Sequence, residues 1–226
     1  TEEVVAQIQT EGYREVVLLP LYPQYSMTTT GSSLNEWNRR FGGGDHISVK
    51  VINHFFDHPL YIEAIVGNIN ATFERFEGIE RGDIHLLFSA HGVPVKVIER
   101  GDSYQRHVES TVKLVTGRGH WKSPHHLCYQ SKVGPAAWLK PSLGETIHVL
   151  ASSGAKHVLV VPISFVTEHI ETLHEINIET RAEAEQLGIR RFEMMPALND
   201  HPVLIRALAD LVLRQVTSEK EIHEHP

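Results

Sequence analysis

Short runs of apolar residues alternate along the chain with longer segments in which apolar residues recur at helical spacing. The short runs are apolar at nearly every position, as strands are when helices cover both faces of their sheet. They lie at 16–19, 47–52, 84–88, 126–130, 158–162 and 192–197. The helical segments lie at 33–41, 59–76, 104–116, 144–153, 170–187 and 201–215. Strand and helix in strict turn predict an α/β fold with parallel sheets built from right-handed βαβ units.

Length and composition narrow the possible functions. At roughly 150 residues per domain, the 226 residues fit one large domain or two small ones. The net charge of −7 is spread along the chain, which argues against a nucleic-acid binder with a basic stripe. No apolar run reaches the ~18 residues that span a bilayer, and the start does not look like a signal peptide, so a soluble, cytoplasmic protein is expected. The single cysteine, Cys128, excludes an intrachain disulfide and any multi-cysteine metal site made by this chain alone, which leaves 16 histidines as soft ligands.

The turns after the strands carry the candidate chemistry, because ligands of open α/β sheets bind beyond the carboxyl ends of the strands. The first turn, LPLYPQYSMTTTGSSLN, offers the flat faces of Tyr22 and Tyr25, or is simply a polar loop that caps the next helix. The third strand leads into SAHGVP, which presents His91 as a base, a ligand or a structural histidine. The fourth leads into QSKVGP and then Trp138, which could bracket a planar ligand or pack in the core.

A ladder of acids follows the fifth strand. Glu171, Glu175 and Glu179 recur at i, i+4 and i+8, one turn after Glu168, so an α-helix would place them on one face. No lysine or arginine compensates them, and like charges at this spacing repel by a few tenths of a kcal/mol per pair. The ladder is either a solvated helix face or a file of carboxylates that passes protons or a divalent cation, for which oxygen and imidazole ligands suit Fe(II) and Zn(II).

Other familiar signatures are missing from the sequence. His169 and His174 are five residues apart rather than the four of an HExxH zinc site. The fingerprints of dinucleotide, P-loop and α/β-hydrolase sites do not occur. The remaining histidines, including the pair His125 and His126, are interpreted as surface or capping residues rather than ligands.

Four blocks together resemble the ferrochelatases, which insert Fe(II) into a porphyrin in the last step of haem synthesis. They are LPLYPQYSMTTTGSSLN, LFSAHGVP, YQSKVGPAAWLKP and PISFVTEHIETLHEINIE, in the order of that family. The resemblance implies the class II chelatase fold, with two Rossmann-like lobes and the porphyrin in the cleft between them. It also implies an incomplete first lobe at 1–65, a second lobe at 66–200, a helix at 201–217 that packs back on the first lobe, and a tail at 218–226. The QSKVGP block is more similar to the branch that uses protoporphyrin than to the coproporphyrin branch.

The resemblance also assigns roles to individual residues. His91 and Glu171 match the catalytic pair that handles the metal and the protons, and Glu175 and Glu179 match an acid path that leads the metal to that pair. Tyr22 and Trp138 match residues that line the porphyrin site. The implied partners are therefore porphyrin and Fe(II), both as substrates.

One departure from some relatives bears on cofactors. Those relatives bind a [2Fe–2S] cluster through a cysteine just after YPQYS, where this chain has Met27, and through cysteines near the C-terminus, where it has none. We therefore expect no iron–sulfur cluster. Two alternatives to a protoporphyrin ferrochelatase stay open at this point: a non-catalytic fragment that binds porphyrin or metal, and another class II chelatase that acts on sirohydrochlorin.

Overall fold

A computed structural model describes residues 1–42 and 46–217 of the chain. The tail 218–226, with the histidines at 223 and 225, lies outside the described residues. The strands are β1 (Glu15–Leu18), β2 (Ser48–Val51), β3 (Ile84–His91), β4 (His125–Gln130), β5 (His157–Pro162) and β6 (Arg191–Met194). The α-helices are α1 (Glu2–Thr10), α2 (Ser32–Phe41), α3 (Pro59–Phe73), α4 (Val95–Glu99), α5 (Tyr104–Gly119), α6 (Leu143–Ser152), α7 (Arg181–Gln186) and α8 (Pro202–Thr217). Two π-helices, Met27–Gly31 and Glu171–Thr180, and a 3₁₀ turn at Arg81–Asp83 complete the described elements.

The strands form two parallel sheets, as the alternation of strand and helix predicts. β1 pairs with β2, and the larger sheet has the order β4-β3-β5-β6. Alternate residues of β3 face opposite cores: Phe88 packs on the side of α3 and α5, and Leu87 packs on the side of α6 and α7. Apolar side chains are thus buried on both faces of β3, which explains its nearly continuous apolar sequence.

The last helix connects distant parts of the chain. The Nζ atom of Lys50 in β2 donates to the carbonyl of Gln215 at 2.6 Å. His58 caps α3 by accepting the N–H of Leu60, and its Nε2 lies 2.9 Å from Asp210 of α8. The end of α8 therefore contacts the smaller sheet. The domain boundary expected at residue 65 falls within the continuous helix α3 and stays a prediction. No helix in the described part of the chain is long and apolar enough to cross a membrane.

The predicted helix at 170–187 has the expected extent, but most of it is a π-helix rather than an α-helix. Residues Glu171–Thr180 form a π-helix, and only Arg181–Gln186 form an α-helix. The hydroxyl of Thr180 donates to the carbonyl of Glu175, five residues back, at 2.7 Å. Side-chain hydrogen bonds of this kind supply donors to backbone carbonyls in the wider helix. The spacing of apolar residues in the sequence does not reveal them. Single π-helical turns are frequent at functional sites.

Candidate active site

A cavity of about 380 Å³ opens at the carboxyl ends of β3 and β5. One wall comes from the loop after β1, and the opposite wall comes from the residues that follow β3 and β5. Its lining includes Tyr22, Gln24, His91, Phe165, His169 and Glu171. The cavity therefore lies at the edge of the sheet where the strand ends predict a ligand site.

The cavity brings the predicted pair of residues together. The Nδ1 atom of His91 lies 3.2 Å from an Oε2 atom of Glu171, and both side chains are a little over one third exposed. The two atoms are within ion-pair distance, but they are not aligned as a hydrogen bond, and Nδ1 of His91 has no other protein partner. An imidazole and a carboxylate thus face each other in the cavity, and neither is saturated by hydrogen bonds from the protein.

Both backbone polar groups of His91 are held by side chains. Its N–H donates to Oγ of Ser164 at 2.7 Å, and its carbonyl accepts the hydroxyl of Tyr104 at 2.9 Å. Burial raises the pKa of Tyr104 well above its usual value, so this hydroxyl stays protonated and remains a donor. The ring of Phe165 meets the imidazole edge-on, with centroids 6.0 Å apart. The position of His91 is therefore fixed by its neighbours rather than by its own contact with Glu171.

Gly92 is required by a close approach of two strands. A Cβ at this position would lie 2.6 Å from the carbonyl oxygen of Gln130 and 3.2 Å from the ring of Trp138. The N–H of Gly92 donates to the same carbonyl at 2.7 Å. Any larger residue would push the end of β3 away from β4 and would move His91 with it.

The acids of the predicted ladder have different surroundings. The carboxylate of Glu175 accepts hydrogen bonds from the backbone N–H of Ser131 at 2.6 Å and from the hydroxyl of Ser131 at 2.5 Å. These bonds attach Glu175 to the turn after β4. Glu179 is 63% exposed and lies 3.6 Å from the Nδ1 atom of His174. Glu168 accepts the N–H of Ala197 and the hydroxyl of Thr172, both at 2.7 Å. Within the described ranges no three histidine, cysteine or acidic side chains converge as a metal site.

The π-helix changes the geometry of the ladder. In an α-helix, 3.6 residues per turn rotate residue i+4 by about 40° from residue i. A π-helix has more residues per turn, so residue i+4 falls short of a full turn instead of passing it. The spacing of Glu171, Glu175 and Glu179 is therefore compatible with one face of either helix. The structure brings Glu171 to His91 and leaves Glu175 and Glu179 outside the cavity lining.

The two predicted porphyrin contacts lie in different cavities. Tyr22 is 42% exposed and lines the same cavity as His91 and Glu171. Trp138 lies behind Gly92 and lines a neighbouring cavity of about 400 Å³, together with Tyr129 and Lys132. The roles of Tyr22 and Trp138 as porphyrin contacts stay predictions.

A row of hydrogen bonds attaches the loop wall of the cavity to α5 and the turn before it. The amide of Gln24 donates to the hydroxyl of Thr111, and the N–H of Tyr25 donates to Nδ1 of His107. Asp102 is only 5% exposed and accepts the hydroxyl of Ser26, the N–H of Met27 and the N–H of Tyr104 at 2.7–2.9 Å. The sequence analysis did not single out Asp102. The available signal is its position in RGDSY, where an acidic residue follows a glycine just before a helix.

We expect Asp102→Asn to destabilise the protein. The amide keeps the shape of the carboxylate, but its NH₂ group must face one of three donors, and hydrogen bonds to a charged group are worth about 1.5–3 kcal/mol each. The free energy of unfolding, measured by urea titration, should fall by about 2 kcal/mol. The exposed Asp200→Asn is the matched control and should change it by less than about 0.5 kcal/mol. An equal effect of both variants would contradict this role of Asp102.

The contact between Tyr25 and His107 predicts a loss of stability in acid. Burial, followed by the charges of His54 and Arg106, lowers the pKa of His107 from 6.5 to about 4. The unfolded chain therefore binds the proton first, so stability that is complete above pH 6.5 falls as the pH drops toward 4. Since His107 is partly exposed, we expect its share to be about 1–2 kcal/mol.

The measurement is the free energy of unfolding of the parent and of His107→Asn at pH 7 and pH 4.5. Asparagine at position 107 cannot titrate, so the variant should lose less stability than the parent between pH 7 and pH 4.5. His148→Asn, on the exposed face of α6, should lose as much as the parent does. Equal losses in the parent and in His107→Asn would show that His107 is not a source of the pH dependence.

Comparison with known proteins identifies the family. The ferrochelatase family model matches residues 1–216. The chain is 46% identical over 217 residues to a ferrochelatase of Aquifex aeolicus, which covers 95% of this chain and 68% of that protein. The chain belongs to the ferrochelatase family. A ferrochelatase of Geotalea uraniireducens is 45% identical to this chain, and the match covers 97% of this chain and 68% of that protein. A ferrochelatase of Trichodesmium erythraeum is also 45% identical, and the match covers 94% of this chain and 56% of that protein.

Solved structures support the fold. SirB from Bacillus subtilis with Fe³⁺ superposes with a TM-score of 0.68 at 14% identity, covering 98% of this chain and 79% of that one. CbiX, described as the terminal enzyme of sirohaem biosynthesis in denitrifying bacteria, gives a TM-score of 0.58 at 13% identity and covers 90% and 77%. The class II chelatase fold that the four blocks imply is thus confirmed, since ferrochelatase sequences and sirohydrochlorin chelatase structures share it.

Proposed function

We propose that this chain catalyses insertion of Fe(II) into protoporphyrin, at the cavity that contains His91 and Glu171. The observation that carries the proposal is the 3.2 Å contact between the imidazole and the carboxylate in a member of the ferrochelatase family. Because the chain spans 56–68% of the length of the relatives compared above, activity of these 226 residues by themselves is part of the proposal.

The chemistry requires bases close to the macrocycle. Metallation replaces two pyrrole N–H protons by one divalent cation, so two protons must leave as the metal enters. His91 and Glu171 offer two bases for these two protons. A carboxylate next to an imidazole also stabilises the imidazolium that forms when His91 takes up a proton.

Metal delivery involves the same helix. Glu175 and Glu179 are one and two turns beyond Glu171, with Glu179 at the surface. We assign to them transient contacts with the incoming cation rather than a closed coordination site. Hard carboxylate oxygens at the surface and imidazole at the end of the path suit Fe(II), which accepts both ligand types.

The cavity walls suit a flat, aromatic substrate. Tyr22 supplies an aromatic face opposite His91, and Phe165 supplies a second one beside it. Aromatic walls can hold a macrocycle, and bending of the bound ring would direct its nitrogen lone pairs toward the metal. Trp138 would contact an edge of the same ligand from behind Gly92.

No cofactor enters this proposal. Burial raises the pKa of Cys128 to about 12, so the one thiol of the chain is held protonated in the core and is a poor ligand for a cluster. The absence of an iron–sulfur cluster and the cytoplasmic location stay predictions. The proposed substrates are porphyrin and iron, and the exclusion of nucleic acid as a partner stays a prediction.

A substrate panel tests the proposal. The chain is mixed anaerobically with Fe(II) or Zn(II) and with protoporphyrin or sirohydrochlorin, and metallation is followed by the absorption bands of the product. We expect metallation of protoporphyrin only. A shifted Soret band without metallation would instead identify a binding fragment, and metallation of sirohydrochlorin alone would identify the other chelatase class.

A further inference from the structure

Two histidines lie side by side at the end of the larger sheet that is opposite the cavity. His85 is the second residue of β3, and His126 is the second residue of β4. The register pairs His126 with Leu87, two residues after His85, so both rings lie on the same face of the sheet. His91 lies six residues further along β3, which places the pair about 20 Å from the reaction site.

The two rings are close enough to share a single ligand. Nδ1 of His85 lies 3.1 Å from Nε2 of His126, and the rings are nearly parallel, with an interplanar angle of 16°. A Zn–N bond is about 2.0–2.1 Å, so two nitrogens on one tetrahedral ion are about 3.4 Å apart. To hold such an ion, the observed separation has to widen by about 0.3 Å, and the rings have to turn so that both lone pairs point at the ion rather than at each other.

The surroundings of both imidazoles lower their pKa values. Burial lowers the pKa of His85, and burial together with the charges of His85 and His125 lowers the pKa of His126. His125 itself packs edge-on against Phe88, which belongs to the core on the other face of the sheet. One ring donates its N–H to the other ring, and a cation gains two nitrogen ligands when the donor ring moves that proton to its other nitrogen.

Open space adjoins His85, on the side away from His126. A cavity of about 390 Å³ is lined by His85, Asp83 and His157, among others. The register pairs His157 with Ile84, so its ring lies on the opposite face of the sheet from the pair. No three metal-binding side chains converge in the described residues, so the protein would supply two ligands and water the others.

We propose that His85 and His126 form a second site for a borderline divalent cation such as Zn(II), Co(II) or Ni(II), separate from the reaction site. Imidazole nitrogen favours these ions over Mg²⁺ and Ca²⁺, which prefer oxygen ligands. With two protein ligands the site exchanges its ion readily. This assignment replaces the interpretation of His126 as a surface residue. Ion binding at the pair does not depend on the proposed function, whereas the insertion readout below rests on it.

The test is calorimetric titration of the 226-residue chain with Zn(II), in a His91→Ala background that removes the histidine of the reaction site. His85→Asn and His126→Asn should each bind one ion fewer per chain, or bind it at least about 10-fold more weakly. His148→Asn, which removes an exposed imidazole bonded to Glu183, is the matched control and should bind like the background. The histidines of the tail are common to all variants and cancel in the comparison.

Two further readouts decide the assignment. Zn(II) should shift the ring-proton NMR signals of His85 and His126 together, in one saturating step. In the parent background, His126→Asn should insert metal into porphyrin within about twofold of the parent rate at saturating metal. Unchanged stoichiometry and affinity in both single variants, or a loss of insertion above about 10-fold in His126→Asn, would overturn the proposal.

Discussion

Replacing His91 by alanine should lower the rate of metal insertion by about 100-fold or more. Proton transfer by a positioned base contributes about 10²–10⁴ in rate, and His91 is the imidazole that faces Glu171 at 3.2 Å. Alanine leaves the backbone bonds to Ser164 and Tyr104 available, so the cavity should keep its shape. The rate is measured as the initial appearance of Zn(II) protoporphyrin by absorbance.

Porphyrin binding separates a chemical effect from a structural one. His91→Ala should bind porphyrin within a fewfold of the parent, as judged by the shift of the Soret band. His148→Ala, an exposed imidazole on α6, should retain the parent rate. A His91→Ala variant that inserts metal at the parent rate would remove His91 from the mechanism.

Glu171→Gln is expected to have the second largest effect, again about 100-fold. Glutamine has the same shape and keeps the start of the π-helix, where Gln130 donates to the carbonyl of Glu171 at 3.1 Å. The glutamine side chain has no negative charge to attract the cation, and it cannot accept a proton as the carboxylate can. We expect a lower turnover number together with a higher KM for the metal, since both functions belong to the same carboxylate.

The control for this variant is Glu185→Gln on α7, an exposed glutamate that lies outside the cavity. It should leave both constants unchanged. A normal KM for the metal in Glu171→Gln, combined with a normal turnover number, would show that the carboxylate does not act in the reaction.

The strands and most helices could be predicted from the apolar pattern, because burial on both faces leaves a continuous signal in β3 and β5. Boundaries differ where an apolar run continues beyond the hydrogen-bonded segment. The run at 192–197 is an example, since β6 ends at Met194 while Met195 and Ala197 are buried in the following loop. The short helix α4 and the first π-helix carry too few residues for a periodic signal.

Candidate site residues could be predicted from the sequence where a single residue lies at the end of a strand. They could not be predicted where several segments of the chain come together. His91 satisfies the first condition, and its family resemblance to a catalytic residue adds the role. Asp102 depends on contacts between the loop after β1 and the start of α5, which are far apart in the sequence. The π-helix at Glu171 depends on hydroxyl and backbone bonds that leave the apolar spacing unchanged.

A double-mutant cycle on His91 and Glu171 tests the central claim, that the two residues act as one unit in metal insertion. The measurement is the single-turnover rate of Zn(II) insertion into bound protoporphyrin for the parent, His91→Ala, Glu171→Gln and the double variant. Residues that act as a unit are strongly non-additive, so the double variant should be within about 10-fold of the slower single variant. Losses that multiply to about 10⁴, or the absence of a loss in either single variant, would contradict the account.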